Sequence, residues 1–181
     1  MFDGIGVDMS EEELALSRST PGARFDAPPS PAPGAPTAPP PAPVAEPEVT
    51  AEIADFVERV LHDAEQPVVL FALEWCEFCW SVRKLFARAG IPYRSVDLDS
   101  AAYQRDDPGG RIRAALRART GLRTIPQVFV GERLVGGCTE TFDAFRDGSL
   151  QRTLKQHGVD FDESTAIDPY TLLPGWLQKR K

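Results

Sequence analysis

The chain has 181 residues and a formal net charge of −7, which suits one ordinary domain with a tail and is too short for two full domains. The acidity lies at one end, because residues 1–50 carry a net charge of −6 whereas residues 51–157 contain 15 acidic and 15 basic side chains. This charge balance in the central segment excludes a general nucleic-acid binder.

The beginning of the chain predicts no export. Met1 to Gly6 have neither a basic segment nor an apolar core, so we expect no secretory signal, and no apolar run is long enough to cross a bilayer. The three cysteines are an odd number, which argues against a disulfide scaffold. We therefore expect a soluble cytoplasmic protein with no membrane partner, and a monomer.

A proline-rich segment precedes the first predicted element. Nine of the sixteen residues from Pro28 to Pro43 are proline, and proline fixes φ and lacks the amide donor, so such a segment stays extended and solvated. Residues 1–49 are accordingly predicted to be a disordered, acidic, Pro-rich tail.

The predicted elements begin near Thr50. Apolar residues at helical spacing, from Ile53 to Leu61, indicate a first helix that stops before Pro67. The continuous apolar run Val68–Leu73 is typical of a buried strand. A second helix is predicted at residues 81–89 and a second strand at 93–98.

The second half of the domain continues this alternation. An Arg-rich helix ends at Thr120 before Gly121, and a hairpin crosses Gly131 and Glu132 between strands at 127–130 and 133–135. Two closing helices are predicted at 139–145 and 150–157. This order predicts an α/β domain over residues 50–157 with one small mixed sheet flanked by helices, followed by a C-terminal extension, residues 158–181.

Two of the three cysteines, Cys76 and Cys79, stand where the first strand passes into a helix. The thiolate is the nucleophilic form of cysteine, and the unpaired N–H groups and partial positive charge of a helix N-terminus stabilise it. Cys79 lies one turn further along the same helix face. The spacing therefore predicts an attacking sulfur at Cys76 and a resolving sulfur at Cys79 that reacts with a mixed disulfide formed at the first.

A Cys-x-x-Cys pair is also half of a zinc site, which usually needs four ligands. The remaining candidates, Cys138, His62 and His157, are not at zinc-finger or zinc-ribbon spacing. The redox interpretation is favoured, and no metal site is predicted.

Three ordered motifs resemble the glutaredoxin family. They are Cys76-Glu-Phe-Cys79 after a buried strand, Thr124-Ile-Pro-Gln-Val-Phe-Val130, and Gly136-Gly-Cys-Thr-Glu140, and together they span about residues 52–157. The resemblance implies a thioredoxin-like fold with a mixed four-stranded sheet. It also implies a glutathione-dependent thiol–disulfide oxidoreductase that reduces protein disulfides or glutathione mixed disulfides through Cys76 and Cys79.

The resemblance also implies where glutathione binds. The Ile125–Pro126 bond would be cis and would present the Ile125 backbone to a cysteinyl peptide as an added strand. The helix that begins after Gly137 would offer N–H groups to the γ-glutamyl carboxylate, and Arg113 aligns with a position that holds the glycine carboxylate. The implied glutathione-binding residues are Arg113, Thr124, Ile125, Pro126, Gly137, Cys138 and Thr139.

This chain departs from the family pattern at two positions near the thiols. Glu77-Phe78 replaces a common Pro-Tyr pair, and Leu73 replaces a common lysine, so weaker glutathione affinity and a protein substrate are expected. Trp75 is expected to border the substrate groove and Trp80 to pack in the core.

Two alternative functions remain open. In the first, two subunits share a [2Fe–2S] cluster through Cys76 thiolates and two glutathiones, although Cys79 offers a competing disulfide. In the second, the protein is a redox adaptor whose tail recruits one specific client.

Overall fold

The computed structural model describes residues 47–177. The predicted disordered tail, residues 1–49, therefore lies outside the described residues except for its last three residues. The same is true of residues 178–181 in the C-terminal extension.

Five helices and four strands are formed within the described residues, in the predicted order. They are α1 (Ala51–Leu61), β1 (Val68–Ala72), α2 (Glu77–Arg88), β2 (Arg94–Asp97), α3 (Pro108–Thr120), β3 (Gln127–Val130), β4 (Arg133–Gly136), α4 (Cys138–Arg146) and α5 (Ser149–Gln156), with short 3-10 helices at Ala101–Tyr103 and Pro169–Leu172. The α2 helix begins four residues earlier than predicted, because Cys76 is its N-cap.

The four strands form one mixed sheet in the order β2-β1-β3-β4. Strand β1 pairs in parallel with β2 and antiparallel with β3, and β3 pairs antiparallel with β4. Phe71 lies opposite Gln127, and Val128 lies opposite Gly136. The end of β1, the start of β3 and the end of β4 therefore meet at one edge of the sheet.

A hydrophobic cluster covers each face of the sheet. All five residues of β1 are buried, and because side chains alternate along a strand, Val69 and Phe71 face α1 and α3 while Val68 and Leu70 face α2, α4 and α5. The continuous apolar run arises because helices cover both faces of this central strand. This architecture confirms the predicted thioredoxin-like fold.

The chain beyond α5 packs back onto the domain. Val159 and Leu172 are buried in the same cluster as α2, and the Ser81 hydroxyl donates to the Leu172 carbonyl at 3.0 Å. Earlier in the same segment, the Thr165 hydroxyl donates to the Arg88 carbonyl at 3.1 Å. We call residues 158–177 the C-terminal strap. No helix among the described residues has the length and apolar character needed to span a membrane.

Candidate active site

The sheet edge described above brings together three segments of the chain. Cys76 follows β1, Ile125 and Pro126 precede β3, and Gly137 follows β4. Because these strand ends are adjacent in the sheet, residues separated by about fifty positions in sequence become neighbours. The three motifs of the sequence thus converge at the N-terminal end of α2.

Cys76 and Cys79 are linked through backbone and sulfur contacts. The Cys79 amide donates to the Cys76 Sγ at 3.4 Å, and the Cys76 thiol lies 4.0 Å from the Ile125 carbonyl oxygen. The Cys79 Sγ in turn accepts the Leu73 amide at 3.5 Å. Cys76 is half-buried and Cys79 is fully buried, and all three cysteines are free thiols. One sulfur is thus open to a substrate and the second lies beneath it.

Burial keeps the other two thiols protonated. Removal from solvent, assisted by the hydrogen bond with Cys76, raises the pKa of Cys79 to about 12. Burial likewise raises the pKa of Cys138 to about 12, with smaller contributions from the charges of Cys76 and Glu140. A thiolate is poorly solvated in apolar surroundings, so a buried cysteine retains its proton. Cys138 accordingly packs as a small hydrophobic residue in the cluster beside α2.

The turn before β3 and the start of α4 form the opposite wall. The Ile125–Pro126 peptide bond is cis, as expected from the resemblance. A Cβ atom placed on Gly137 would lie 3.4 Å from the Pro126 carbonyl oxygen, so these two segments are in close contact. Gly137 is the N-cap of α4, and the first N–H groups of a helix have no carbonyl partner within it.

The other candidate binding residues lie on three segments of the chain: the start of α4, the turn before β3, and α3. Cys138 and Thr139 are the first residues of α4, with the Cys138 side chain buried and Thr139 exposed. Thr124 is exposed, and its carbonyl accepts the Gln127 side-chain amide at 3.2 Å. Arg113 lies on α3 in a groove of about 350 Å³ that it lines with Arg117 and Arg123. Neither Cys76 nor Cys79 lines that groove.

The placement of Trp80 differs from the prediction that it packs in the core. Its side chain is 52% exposed, its indole N–H donates to the Glu74 carbonyl at 2.8 Å, and the Arg83 guanidinium lies 5.7 Å from its ring centroid. The buried face of α2 passes instead through Cys79, Val82 and Phe86.

The C-terminal strap supplies a contact to this site that sequence reasoning missed. The Trp176 indole N–H donates to a Glu77 carboxylate oxygen at 2.5 Å, and its ring packs edge-on against Phe78 with centroids 6.3 Å apart. Both partners lie between the two cysteines. No local pattern marks this contact, because the residues it joins are 99 positions apart.

The fold and the thiol pair define a thioredoxin-like redox protein with a dithiol Cys-x-x-Cys site. The glutaredoxin family model matches residues 68–135. A glutaredoxin from Solanum lycopersicum is 39% identical over 100 residues, which cover 55% of this chain and 88% of that protein. Monothiol glutaredoxin-S10 from Oryza sativa is 33% identical over 114 residues, covering 63% of this chain and 66% of the rice protein.

Solved structures agree with these sequence matches. The crystal structure of a buckwheat glutaredoxin–glutathione complex is 33% identical with a TM-score of 0.52, and the match covers 60% of this chain and 96% of that one. The chain belongs to the glutaredoxin family. Glutaredoxins are thiol oxidoreductases, and Cys76 and Cys79 form a Cys-x-x-Cys dithiol pair at the N-terminus of α2.

Proposed function

We propose that the protein is a glutathione-dependent thiol–disulfide oxidoreductase that reduces protein disulfides or glutathione mixed disulfides. The observation that carries this proposal is the half-buried Cys76 sulfur at the N-terminus of α2, with the Cys79 amide donating to it and the Cys79 sulfur buried beneath it. The helix N-terminus and this amide both stabilise a thiolate.

In the proposed reaction the Cys76 thiolate attacks one sulfur of a substrate disulfide and the other substrate half leaves as a thiolate. Cys79 then attacks the Cys76 sulfur, which releases the reduced substrate and leaves a Cys76–Cys79 disulfide. Two glutathiones reduce that disulfide and become glutathione disulfide. Burial is the largest cause of the raised pKa of Cys79, and the hydrogen bond and charge of Cys76 add to it; a mixed disulfide at Cys76 would remove the contribution of its charge.

Glutathione would bind across the wall opposite the thiols. The buckwheat glutaredoxin whose complex contains glutathione supports this ligand. The Ile125 backbone beside the Cys76 sulfur would pair with the cysteinyl residue, and the N-terminal amides of α4, at Cys138 and Thr139, would bind its γ-glutamyl carboxylate. Thr124, Pro126 and Gly137 would shape the pocket, and Arg113 would approach the glycine carboxylate from α3.

The test is turnover of a glutathionylated peptide and of a peptide disulfide by wild type, Cys76→Ser and Cys79→Ser. Cys76→Ser is expected to abolish both reactions. Cys79→Ser is expected to retain part of the first, since a single thiol suffices there, and to lose the second. Full activity of Cys76→Ser would refute the proposal.

We further propose that the catalytic unit is residues 50–157 together with the docked strap, and that the tail is a separate segment. The support is that both hydrophobic clusters and both thiols of the site lie between Thr50 and Leu172.

A further inference from the structure

Large apolar side chains are exposed around the reactive thiol. Across the described residues, Trp75 is 89% exposed, Trp176 67% and Phe78 37%. We call these three residues the aromatic rim, because Trp75 directly precedes Cys76, Phe78 follows it by two residues and Trp176 contacts Phe78. Phe78 and Trp176 are in contact, and exposed aromatic side chains that pack together in this way are typical of surfaces that bind another protein.

Trp176 is held in place although most of its ring faces solvent. The strap is anchored by the buried Leu172, whose carbonyl accepts the Ser81 hydroxyl at 3.0 Å. Four residues later, the Trp176 N–H donates to Glu77 and the ring packs on Phe78. A ring fixed before binding loses little conformational entropy when a ligand covers it, which favours affinity.

The chemistry at Cys76 determines what covers this rim. A disulfide places the two bonded cysteine Cα atoms about 4.4–6.8 Å apart, and each residue of an extended segment advances about 3.3 Å. A residue on either side of a substrate cysteine bonded to Cys76 therefore lies within about 10 Å of the Cys76 Cα, so its side chain can reach Trp75, Phe78 or the Trp176 ring that packs on Phe78. In a protein substrate these neighbours carry side chains, whereas a small disulfide leaves the Trp176 ring in water.

We propose that Trp176 is a specificity-determining residue which, with Trp75 and Phe78, binds a large apolar side chain next to the disulfide cysteine of an extended client-protein segment. This inference rests on the proposed function of Cys76, since the mixed disulfide brings the segment to the rim. The substrate class is thus protein disulfides whose cysteine has apolar neighbours.

The test compares two symmetrical disulfides of the pentapeptides Gly-Leu-Cys-Leu-Gly and Gly-Ser-Cys-Ser-Gly, blocked at both ends. Wild type is expected to reduce the leucine peptide with a kcat/KM about tenfold higher than the serine peptide, because only leucine has apolar surface to bury on the rim. Trp176→Ala is expected to lower this ratio to about two while changing the serine-peptide kcat/KM less than twofold. Because most of the Trp176 side chain is exposed, Trp176→Ala is expected to fold as wild type does.

Two further variants test whether the preference for the leucine peptide comes from contact with the Trp176 ring. Trp176→Phe retains an apolar ring and is expected to keep most of the discrimination. Val49→Ala removes an exposed apolar side chain that precedes α1, on the opposite face of the sheet, and should leave the ratio unchanged. Equal ratios for wild type and Trp176→Ala, or an equal loss in Trp176→Phe or Val49→Ala, would overturn the inference. If wild type reduced a glutathionylated peptide but neither pentapeptide disulfide, the inference would be overturned. If it reduced none of the three, the proposed function would be refuted.

Discussion

The three thiols of this protein differ in their access to solvent, and the roles proposed for them rest on that difference. Cys76 is half-buried at a helix N-terminus, whereas Cys79 and Cys138 are buried with pKa values raised to about 12. A group with that pKa is ionised to about one part in 10⁴ at pH 8. Only one of the three sulfurs is therefore available to an external electrophile.

Alkylation of the reduced protein by iodoacetamide at pH 8 should consequently modify Cys76 alone. We expect one equivalent of label, located on the peptide that contains Cys76 by mass spectrometry, and almost none in Cys76→Ser. Raising the pH from 8 to 9 should still leave Cys79 and Cys138 almost unlabelled, because a pKa of about 12 keeps their ionised fraction at about one part in 10³. Labelling of Cys79 or Cys138 at pH 8 at the rate of Cys76 would contradict the burial described here.

Arg113 provides a second prediction at the scale of a single residue. If its guanidinium binds the glycine carboxylate of glutathione, Arg113→Gln should raise the KM for glutathione about fivefold, because an exposed charge pair stabilises by up to about 1 kcal/mol. The value of kcat should be unchanged. Initial rates at varied glutathione concentration measure both KM and kcat.

The matched control for Arg113→Gln is Arg105→Gln, which makes the same charge change at an exposed position before α3. An equal increase in KM for both variants would show that the effect is general electrostatic attraction and not a contact at Arg113.

At the scale of elements, the strap is part of the folded domain. Leu172 is 5% exposed and lies in the cluster that contains α2 and α4, and the neighbouring Tyr170 hydroxyl donates to Asp143 at 2.8 Å. Leu172→Ala should therefore lower the free energy of unfolding by about 2–5 kcal/mol. Chemical denaturation measures this loss.

Leu177→Ala is the control for that measurement, since Leu177 is exposed in the same strap and its truncation should cost less than about 0.5 kcal/mol. If the free energy of unfolding fell equally little in both variants, Leu172 would not be buried and the strap would not be docked on α2.

The elements also show which features the sequence can predict. The buried run of β1, the glycine after α3 and the Cys-x-x-Cys pair are local patterns, and each predicted the correct element. The prediction that Trp80 packs in the core was wrong, although the sequence contains a local signal against it. Glu77, Arg83 and Lys84 lie three or four positions from Trp80 and share its helix face, so this face is polar. The contacts of Trp176 have no such signal, since they depend on how a segment outside the sheet folds back.

At the scale of the whole molecule, the sheet separates two packed layers and places the thiols at its edge. One layer contains α1 and α3, and the other contains α2, α4, α5 and the strap. The strap lies on the layer that carries α2, so burial that stabilises this layer also positions Trp176 beside the dipeptide between the cysteines. If Trp176 binds substrate as proposed, the stability of this layer and substrate recognition are linked through α2.

The final prediction concerns the segment before this assembly. Deleting residues 1–46 retains Pro47, which lines the Arg113 groove, and Thr50, whose carbonyl accepts the Ile53 and Ala54 amides at 3.1 Å. Because both hydrophobic clusters are retained, the shortened protein should keep its melting temperature and its turnover of a glutathionylated peptide. If the tail recruits a client, the same deletion should slow client reduction in cells, and a tail of scrambled sequence should not restore it. A fall in melting temperature on deletion would show instead that the tail belongs to the folded unit.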